Sequence, residues 1–294
     1  MLRVAVLLAA YNGEKHISEQ VDSVLAQVGV DPTIYINIDR SSDNTLALIE
    51  GYQNRDPRVR LLKYEDRFGS AELNFYDLIA SLAGSSFDFY ALADQDDIWE
   101  PDKLKEACSV LNEQGFDCYS GSITAMYPDG RNIYIPKSGT QTPYDHFFQS
   151  AGPGCTYVFT RAAYLKLSRA LIERREDFER VLSHDWALYY VARQFGLRWF
   201  IDERSFMSYR QHGNNDFGAN IGIFAALNRV QRFRSGWYAS QVYNLERLDS
   251  KPGVSGLIGP YPGKLHLWVK NFRYFRRFLT QSLFLLVMRL CRFF

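Results

Sequence analysis

Apolar positions along the chain change period in a regular way. Residues 4–9 are apolar on both faces, as a strand in the middle of a parallel sheet must be. Asn12-Gly13 turns the chain, and residues 14–27 follow with Ile17, Val21, Val24, Leu25 and Val28 at helical spacing. Pro32 ends that connection, and residues 33–38 return to strand character. Ser41-Ser42-Asp43 has the chemistry of a helix N-cap and leads into residues 46–52. A third strand is predicted over 59–64, a third helix over 72–82 and a fourth strand over 87–93, ending at Asp94. Strand and helix alternate four times, which predicts an α/β fold with a doubly wound, mostly parallel sheet. Ligands of such sheets bind beyond the carboxyl ends of the strands, where Asn12, Asp39 and Asp94 fall.

Beyond Pro101 the pattern predicts a helix, then a strand over 118–126. Pro128-Asp129-Gly130 is a turn signal, so Ile133-Tyr134-Ile135 is expected to pair back as a hairpin. Residues 154–160 and 197–201 read as strands, and 161–173 and 185–195 as helices. The Gly- and Asn-rich run 213–218 marks a boundary. It divides the chain into a domain over 1–218 and a helical C-terminal extension over 219–294, itself broken by Gly and Pro between 252 and 263.

Charge is distributed unevenly. The net charge of the 294 residues is +1, yet residues 264–294 carry seven basic side chains and no acidic one. The remainder holds 27 basic against 33 acidic residues, a sign that disfavours nucleic acid as a partner. The basic segment also holds eight aromatic residues, which points to a membrane surface. Trp268, Phe272, Phe275, Leu279 and Leu283 are spaced to share one helical face, with Lys270, Arg273 and Arg277 flanking it to reach lipid phosphates. Packing of that stripe on the rest of the chain or on a second subunit is the alternative. No run reaches the roughly 18 apolar residues of a spanning helix. Residues 1–10 could pass for a short signal peptide, but the continuous α/β pattern behind them favours a buried first strand. The scattered Cys108, Cys118, Cys155 and Cys291 exclude a disulfide scaffold and a thiolate zinc site, and read as free thiols in a reducing compartment.

The strongest chemical signal is Asp94-Gln95-Asp96-Asp97, directly after a buried strand. Three carboxylates in four residues repel one another unless a cation or hydrogen-bond donors offset the charge, and such oxygen-rich sites suit Mg2+ or Mn2+. A solvated turn capping the next helix is the alternative. Asp39 can accept the imide N–H of uracil or thymine, or simply cap a turn. Asn12 can shape the same crevice. The helix start at Arg67-Phe68-Gly69-Ser70 can face a phosphate or a base. Asp185 opens a helix, either as a general base or as a carboxylate stabilised by the helix dipole. Arg210 and His212 can hold a diphosphate and a metal ion, or form a surface pair.

Taken in order, these segments resemble glycosyltransferase family two. The matching runs are Tyr11-Asn12-Gly13; Asp39 with Ser41-Ser42-Asp43-Asn44-Thr45; Leu92-Ala93-Asp94-Gln95-Asp96-Asp97-Ile98-Trp99 with Pro101 and Lys103-Leu104; His184-Asp185-Trp186; and Tyr209-Arg210-Gln211-His212-Gly213-Asn214-Asn215. They are similar to those of bacterial rhamnosyltransferase-like members. The resemblance implies a GT-A fold and a nucleotide-sugar donor. It implies roles for Asp39 on the pyrimidine base, Asp94 on the ribose, Asp96 on a metal supported by Asp97, and Asp185 as general base. Arg210 and His212 would lie near the diphosphate, and Gly154-Cys155 in a loop near the acceptor. Many members carry two acidic residues and a glycine before the Ser-x-Asp segment; here those places hold Ile38, Asp39 and Arg40.

The resulting expectation is an inverting, Mg2+- or Mn2+-dependent transferase at the inner face of the bacterial plasma membrane. It would move L-rhamnose from dTDP-L-rhamnose to a lipid-linked or lipopolysaccharide glycan. A UDP-hexose donor is the alternative, and a membrane-docked glycan-binding scaffold is a second. Retention of Asp94, Asp96 and Asp185 argues against the scaffold. A sugar-nucleotide pyrophosphorylase shares the sheet type but opens on a Gly-rich phosphate loop, which Tyr11-Asn12-Gly13-Glu14 is not.

Overall fold

The alternating segments fold into one sheet flanked by helices. The computed structural model describes residues 1–65, 68–211, 223–249 and 265–293. The chain begins with β1 (Leu2–Ala10), α1 (Ile17–Leu25), β2 (Val30–Asp39), α2 (Thr45–Arg55), β3 (Val59–Glu65), α3 (Ala71–Ser81) and β4 (Phe89–Ala93). The short β5 (Ile98–Trp99) and α4 (Lys103–Glu113) precede the hairpin β6 (Cys118–Met126) and β7 (Asn132–Ile135). Then come α5 (Asp145–Phe148), a 3-10 turn at Gly154–Thr156, β8 (Val158–Thr160), α6 (Arg161–Glu173), α7 (Arg175–Glu179), α8 (His184–Gln194) and β9 (Trp199–Arg210). The C-terminal part contains α9 (Ile223–Arg234), α10 (Trp237–Arg247), α11 (Leu265–Asn271), a 3-10 turn at Phe272–Tyr274, and α12 (Leu279–Leu290).

The strand order is β3-β2-β1-β4-β8-β6-β9-β5, with β7 paired on β6. β3, β2, β1 and β4 are parallel, as are β6 and β9. β8 is antiparallel to both β4 and β6, and β5 and β7 are antiparallel edges. The mostly parallel α/β sheet expected from the sequence is therefore present. β1 supplies both cores by alternation: Val4, Val6, Leu8 and Ala10 pack with Ile17, Val21 and Val24 of α1, while Ala5, Leu7 and Ala9 pack with Phe75, Tyr76 and Leu78 of α3. Pairing of Ala10 with Ile38 and of Leu8 with Ala93 brings the carboxyl ends of β1, β2 and β4 together.

Several boundaries differ from the sequence pattern, each for a tertiary reason. α1 starts at Ile17 and not at residue 14, because the Glu14 N–H donates to Asp43 and its carboxylate accepts from Asn44. Asn44, not the Ser-Ser-Asp run, takes the N-cap position of α2, and Asp43 accepts from the Thr45 N–H beside it. Residues 154–156 form a 3-10 turn before the short β8. The strand expected to end at 201 continues to Arg210, held by pairing with β6 and β5, so Tyr209 and Arg210 lie on it.

The largest correction concerns the C-terminal segment. It is no single amphipathic helix, and its stripe is divided. Trp268 and Phe275 are fully buried against Phe148, while Leu279 and Leu283 are exposed. The chain breaks between α11 and α12 so that Phe275 can turn inward, and the Arg276 N–H donates to Ser282 Oγ across the break. Arg277, expected to reach lipid, is 5% exposed. Trp268, Phe275, Leu285 and Met288 join the same apolar cluster as α3, α6 and α8. The proposed boundary at residues 218 and 219 lies outside the described residues. All four cysteines are free, and Cys108, Cys118 and Cys155 are buried.

Candidate active site

The loops after β1 and β2 are stapled to each other. Asn12 stands at φ 47, in the left-handed region that asparagine tolerates better than most residues. Its N–H donates to Ser41 Oγ at 2.9 Å, and its Oδ1 accepts from the Ser42 N–H at 2.8 Å. The Gly13 N–H donates to Thr45 Oγ1 at 2.8 Å. Asn12 is thereby committed to holding the crevice. Gln95, within the acidic run, performs a similar task. Its amide accepts from the Tyr11 N–H at 2.7 Å and donates to the Tyr11 carbonyl at 2.8 Å. A Cβ on Gly13 would lie 2.5 Å from Gln95 Oε1, so glycine is what lets these loops close together.

Asp39 closes β2 and grips the segment before α3. Its two oxygens accept from the Phe68 and Gly69 N–H groups, each at 3.1 Å. Gly69 has φ +100, which favours glycine there. Asp39 and Gly69 are thus brought together at the crevice. Oδ1 also accepts from the Arg40 N–H at 3.0 Å, so Oδ2 is the oxygen that keeps a lone pair for a further donor.

The acidic loop is layered. Asp94 and Asp96 are partly exposed, while Asp97 is fully buried. Asp97 Oδ1 accepts from the Arg210 N–H at 3.2 Å; its Oδ2 has no N–H or O–H donor, and the Cys155 thiol is the weak donor beside the carboxylate. Burial, and then Asp94 and Asp96, push the Asp97 carboxyl well above the usual range. A proton or a cation relieves such a group. Cys155 Sγ and one oxygen each of Asp94 and Asp97 lie within 4.8 Å of one another. Burial, and then Asp97 and Asp94, hold the Cys155 thiol protonated. The hard donors are therefore the carboxylates, and the orphaned Asp97 oxygen is an atom that Mg2+ or Mn2+ would satisfy. Behind the loop, Lys103 Nζ sits 3.6 Å over the Trp99 ring, buried and without a hydrogen-bond partner, its pKa lowered by burial to about 8. The Arg210 side chain donates from Nε to the Asp96 carbonyl at 2.9 Å and pairs with Glu19 on α1. It braces the acidic loop from the side. His212 lies outside the described residues.

Asp185 stands in the first turn of α8. Its Oδ1 accepts from Ser183 Oγ and, at 2.7 Å, from the Trp186 N–H, and neither bond falls on Oδ2. His184 stacks on Phe75 at 4.2 Å, and its buried Nε2 has no partner. Burial lowers the His184 pKa and favours the neutral ring. Gly154 presses against this ring: a Cβ there would lie 2.3 Å from His184 Nε2. The buried Tyr157 hydroxyl accepts from the Ala151 N–H at 3.1 Å and donates to the Asp185 carbonyl at 3.2 Å. The loop at 151–156 therefore meets the Asp185 helix through Gly154 and the acidic loop through Cys155.

Sequence reasoning missed several participants. Lys137 is half-buried beside Asp185 and Cys155; burial and the nearby Arg277 lower its pKa, against the pull of those two groups. Asp145 has no local pattern to betray it, nor has Lys137, and the acidic run that contains Gln95 gives no sign of its bonds to Tyr11.

Comparison with known proteins identifies the family. The sequence profile of glycosyl transferase family 2 matches residues 5–167. The dTDP-rhamnosyl transferase RfbG of Shigella flexneri is 37% identical over 290 residues, covering 98% of this chain and 100% of the relative. Among solved structures, TarS 1–349 of S. aureus in complex with UDP-GlcNAc has a TM-score of 0.56 at 16% identity, covering 87% of this chain and 70% of its own. The mannosyltransferase PcManGT of Pyrobaculum calidifontis, in complex with GDP-Man and Mn2+, has a TM-score of 0.51 at 13% identity, covering 98% and 86%. Those two structures speak for the fold alone. With a family profile across more than half of the chain and a full-length relative at 37% identity, this protein belongs to glycosyltransferase family 2 and is a glycosyltransferase.

Proposed function

We propose that the protein transfers L-rhamnose from dTDP-L-rhamnose, with inversion, to a hydroxyl of a lipid-linked or lipopolysaccharide glycan. The observation that carries this reading is the position of the loop at 151–156, with Asp185 on one side of it and the Asp94–Asp97 carboxylates on the other. A donor held at the acidic loop and an acceptor at Asp185 then meet over Gly154-Cys155. The identity of the sugar is drawn from the full-length similarity to a dTDP-rhamnosyl transferase.

In this reading Asp39 accepts from the thymine imide, Gly69 borders the base, and Asp94 holds the ribose. Asn12 keeps the crevice in shape. Asp96, supported by Asp97, would hold Mg2+ or Mn2+; a bound ion offsets the charge gained by the leaving diphosphate. Arg210 fixes the backbone of Asp96. Asp185 takes the proton from the attacking hydroxyl, which requires a carboxylate oxygen within hydrogen-bond reach. Its Oδ2 is the free candidate.

The same reading places the enzyme on the inner face of the bacterial plasma membrane. Among the described residues no helix is long and apolar enough to cross a membrane. Leu279, Leu283, Val287 and Leu290 lie on one face of α12 and are between 44% and 58% exposed. Lys270, Arg273 and Arg292 are exposed nearby on the same terminal segment. This face, not the stripe through Trp268, is the proposed lipid contact.

A donor panel tests the proposal. Release of dTDP, UDP or GDP is measured from the matching nucleotide sugars with a lipid-linked acceptor, with and without Mn2+, and the new linkage is read by NMR. Turnover of dTDP-L-rhamnose with inversion is expected. Preference for a UDP-hexose, or retention of configuration, would overturn it. Liposome flotation of Leu283→Glu checks the membrane contact; unchanged flotation on anionic vesicles counts against that face.

A further inference from the structure

One buried cluster ties the C-terminal segment to the acceptor side of the site. Asp145, at the start of α5, is fully buried. Its Oδ1 accepts from Arg193 at 2.9 Å; its Oδ2 accepts from the Tyr189 hydroxyl at 2.9 Å and from Arg277 Nη1 at 3.1 Å. Tyr189 and Arg193 follow Asp185 along α8, one and two turns on. The second guanidinium nitrogen of Arg277, Nη2, donates to the Ser150 carbonyl at 2.7 Å. Ser150 directly precedes the loop at 151–156. Two more contacts lie beside this one. The Thr142 hydroxyl donates to the Tyr274 carbonyl, and a Cβ on Gly139 would stand 3.2 Å from Arg277 Cβ and 3.6 Å from the Phe278 ring. Residues 274–278 thus touch the chain at 139, 142, 145 and 150.

We propose that Arg277 is a positioning residue for sugar transfer, its planar fork holding Asp145 and the Ser150 carbonyl at once so that the loop at 151–156 keeps its distance from Asp185. The C-terminal segment is then a component of the acceptor site. This rests on the reading of that loop and of Asp185 given above. The fork is what the geometry needs: an ammonium is a single nitrogen and cannot hold both oxygens in the same plane. A loop freed at Ser150 lets the acceptor hydroxyl drift, and misplacement by about 1 Å at a reacting group costs roughly 10²-fold in rate. No hydrogen-bond partner of Arg277 belongs to the loops of Asp39 or Asp94, so the donor side is reached only through Cys155 and is disturbed less.

The test compares wild type with Arg277→Met, Arg277→Lys and the double variant Arg277→Met/Asp145→Asn. The double variant removes the buried carboxylate together with the Arg277 charge, and Arg193 keeps its acceptors on Gln141 and Thr142, but Ser150 still lacks its donor. Transfer to the acceptor is expected to fall by roughly 10²-fold in Arg277→Met and to stay impaired in the double variant. Affinity for dTDP, by calorimetry, should hold within about 2-fold. Arg277→Lys should recover only part of the loss. Hydrogen exchange supplies a readout independent of the donor: amides at 150–156 should exchange about tenfold faster in Arg277→Met, with those at 94–99 unchanged. Wild-type transfer by the double variant would reduce Arg277 to a fold contact through Asp145 and overturn the proposal. Unchanged exchange at 150–156 would do so as well. Wild type that neither binds dTDP nor hydrolyses dTDP-rhamnose would refute the donor assignment instead, and the exchange result would still decide the role of Arg277.

Discussion

Replacing Gly154 with alanine puts a methyl group where the His184 ring now lies. The added carbon would stand 2.3 Å from His184 Nε2, 3.1 Å from Cδ2 and 3.2 Å from Cε1. The ring cannot swing away, because Phe75 backs it at 4.2 Å and Phe75 is itself in the core. Either the 3-10 turn or the start of α8 must give by about 1 Å, and overpacking of this kind costs about 1–3 kcal/mol. In a chain of this size that lowers Tm by about 2–4 °C per kcal/mol. His184 is joined to Asp185, so the displacement reaches the proposed base, and roughly 10²-fold in kcat is at stake. Nucleotide affinity should change less than kcat, because only Cys155 joins this turn to the acidic loop. Scanning calorimetry, dTDP titration and the rate of rhamnose transfer read the three quantities. Adding His184→Ala removes the obstructing ring, so the double variant should recover stability relative to the sum of the singles. Wild-type Tm and kcat in Gly154→Ala, or strict additivity in the cycle, would refute the steric argument.

Further outcomes follow from other contacts. Trp268→Ala empties a site walled by Phe148 at 5.4 Å and Phe275 at 4.7 Å, and should cost about 3–5 kcal/mol in denaturant unfolding; a loss under about 1 kcal/mol would mean that the segment is only loosely docked. Asp185→Asn keeps shape and loses basicity, so kcat should fall by roughly 10²- to 10⁴-fold at constant donor affinity; a fall in affinity with turnover preserved would make Asp185 a binding residue. Burial alone would raise the pKa of Asp145, but His146, Arg277 and Arg193 outweigh it and hold the carboxyl below the usual range. Its contribution to stability is therefore complete above about pH 4, the ordinary carboxylate value, and is lost as pH falls through the lower folded value. Arg277→Met should move the acid-unfolding midpoint, followed by circular dichroism, to higher pH, and an unmoved midpoint would contradict that assignment.

Local sequence was sufficient for the frame of this protein. A strand with no polar face, such as residues 4–9, can only be central, and helical spacing after it forces a crossover. The carboxylates at Asp39 and Asp94 follow from where those strands end, because a doubly wound sheet opens at its carboxyl edge. The structure brings Asp39 and Gly69 together in one crevice, and sets Asp94 and Asp97 against the Gly154-Cys155 loop beside Asp185. The acidic segment was legible because repulsion among neighbouring carboxylates is itself a local signal.

What the chain could not announce was the partner of each face and each isolated polar group. Trp268, Phe272, Phe275, Leu279 and Leu283 have the spacing of one stripe, yet burial sorted them into a core half and an exposed half. Period fixes which residues share a side, and only the surface they meet decides whether that side is dry. Asp145 and Arg277 are separated by 132 positions, and no pattern in the chain connects them. Their pairing, like the orphaned oxygen of Asp97 and the contact of Gly154 with His184, arises when packing removes water. At that point a charge or a ring must take whichever neighbour the fold has brought within reach.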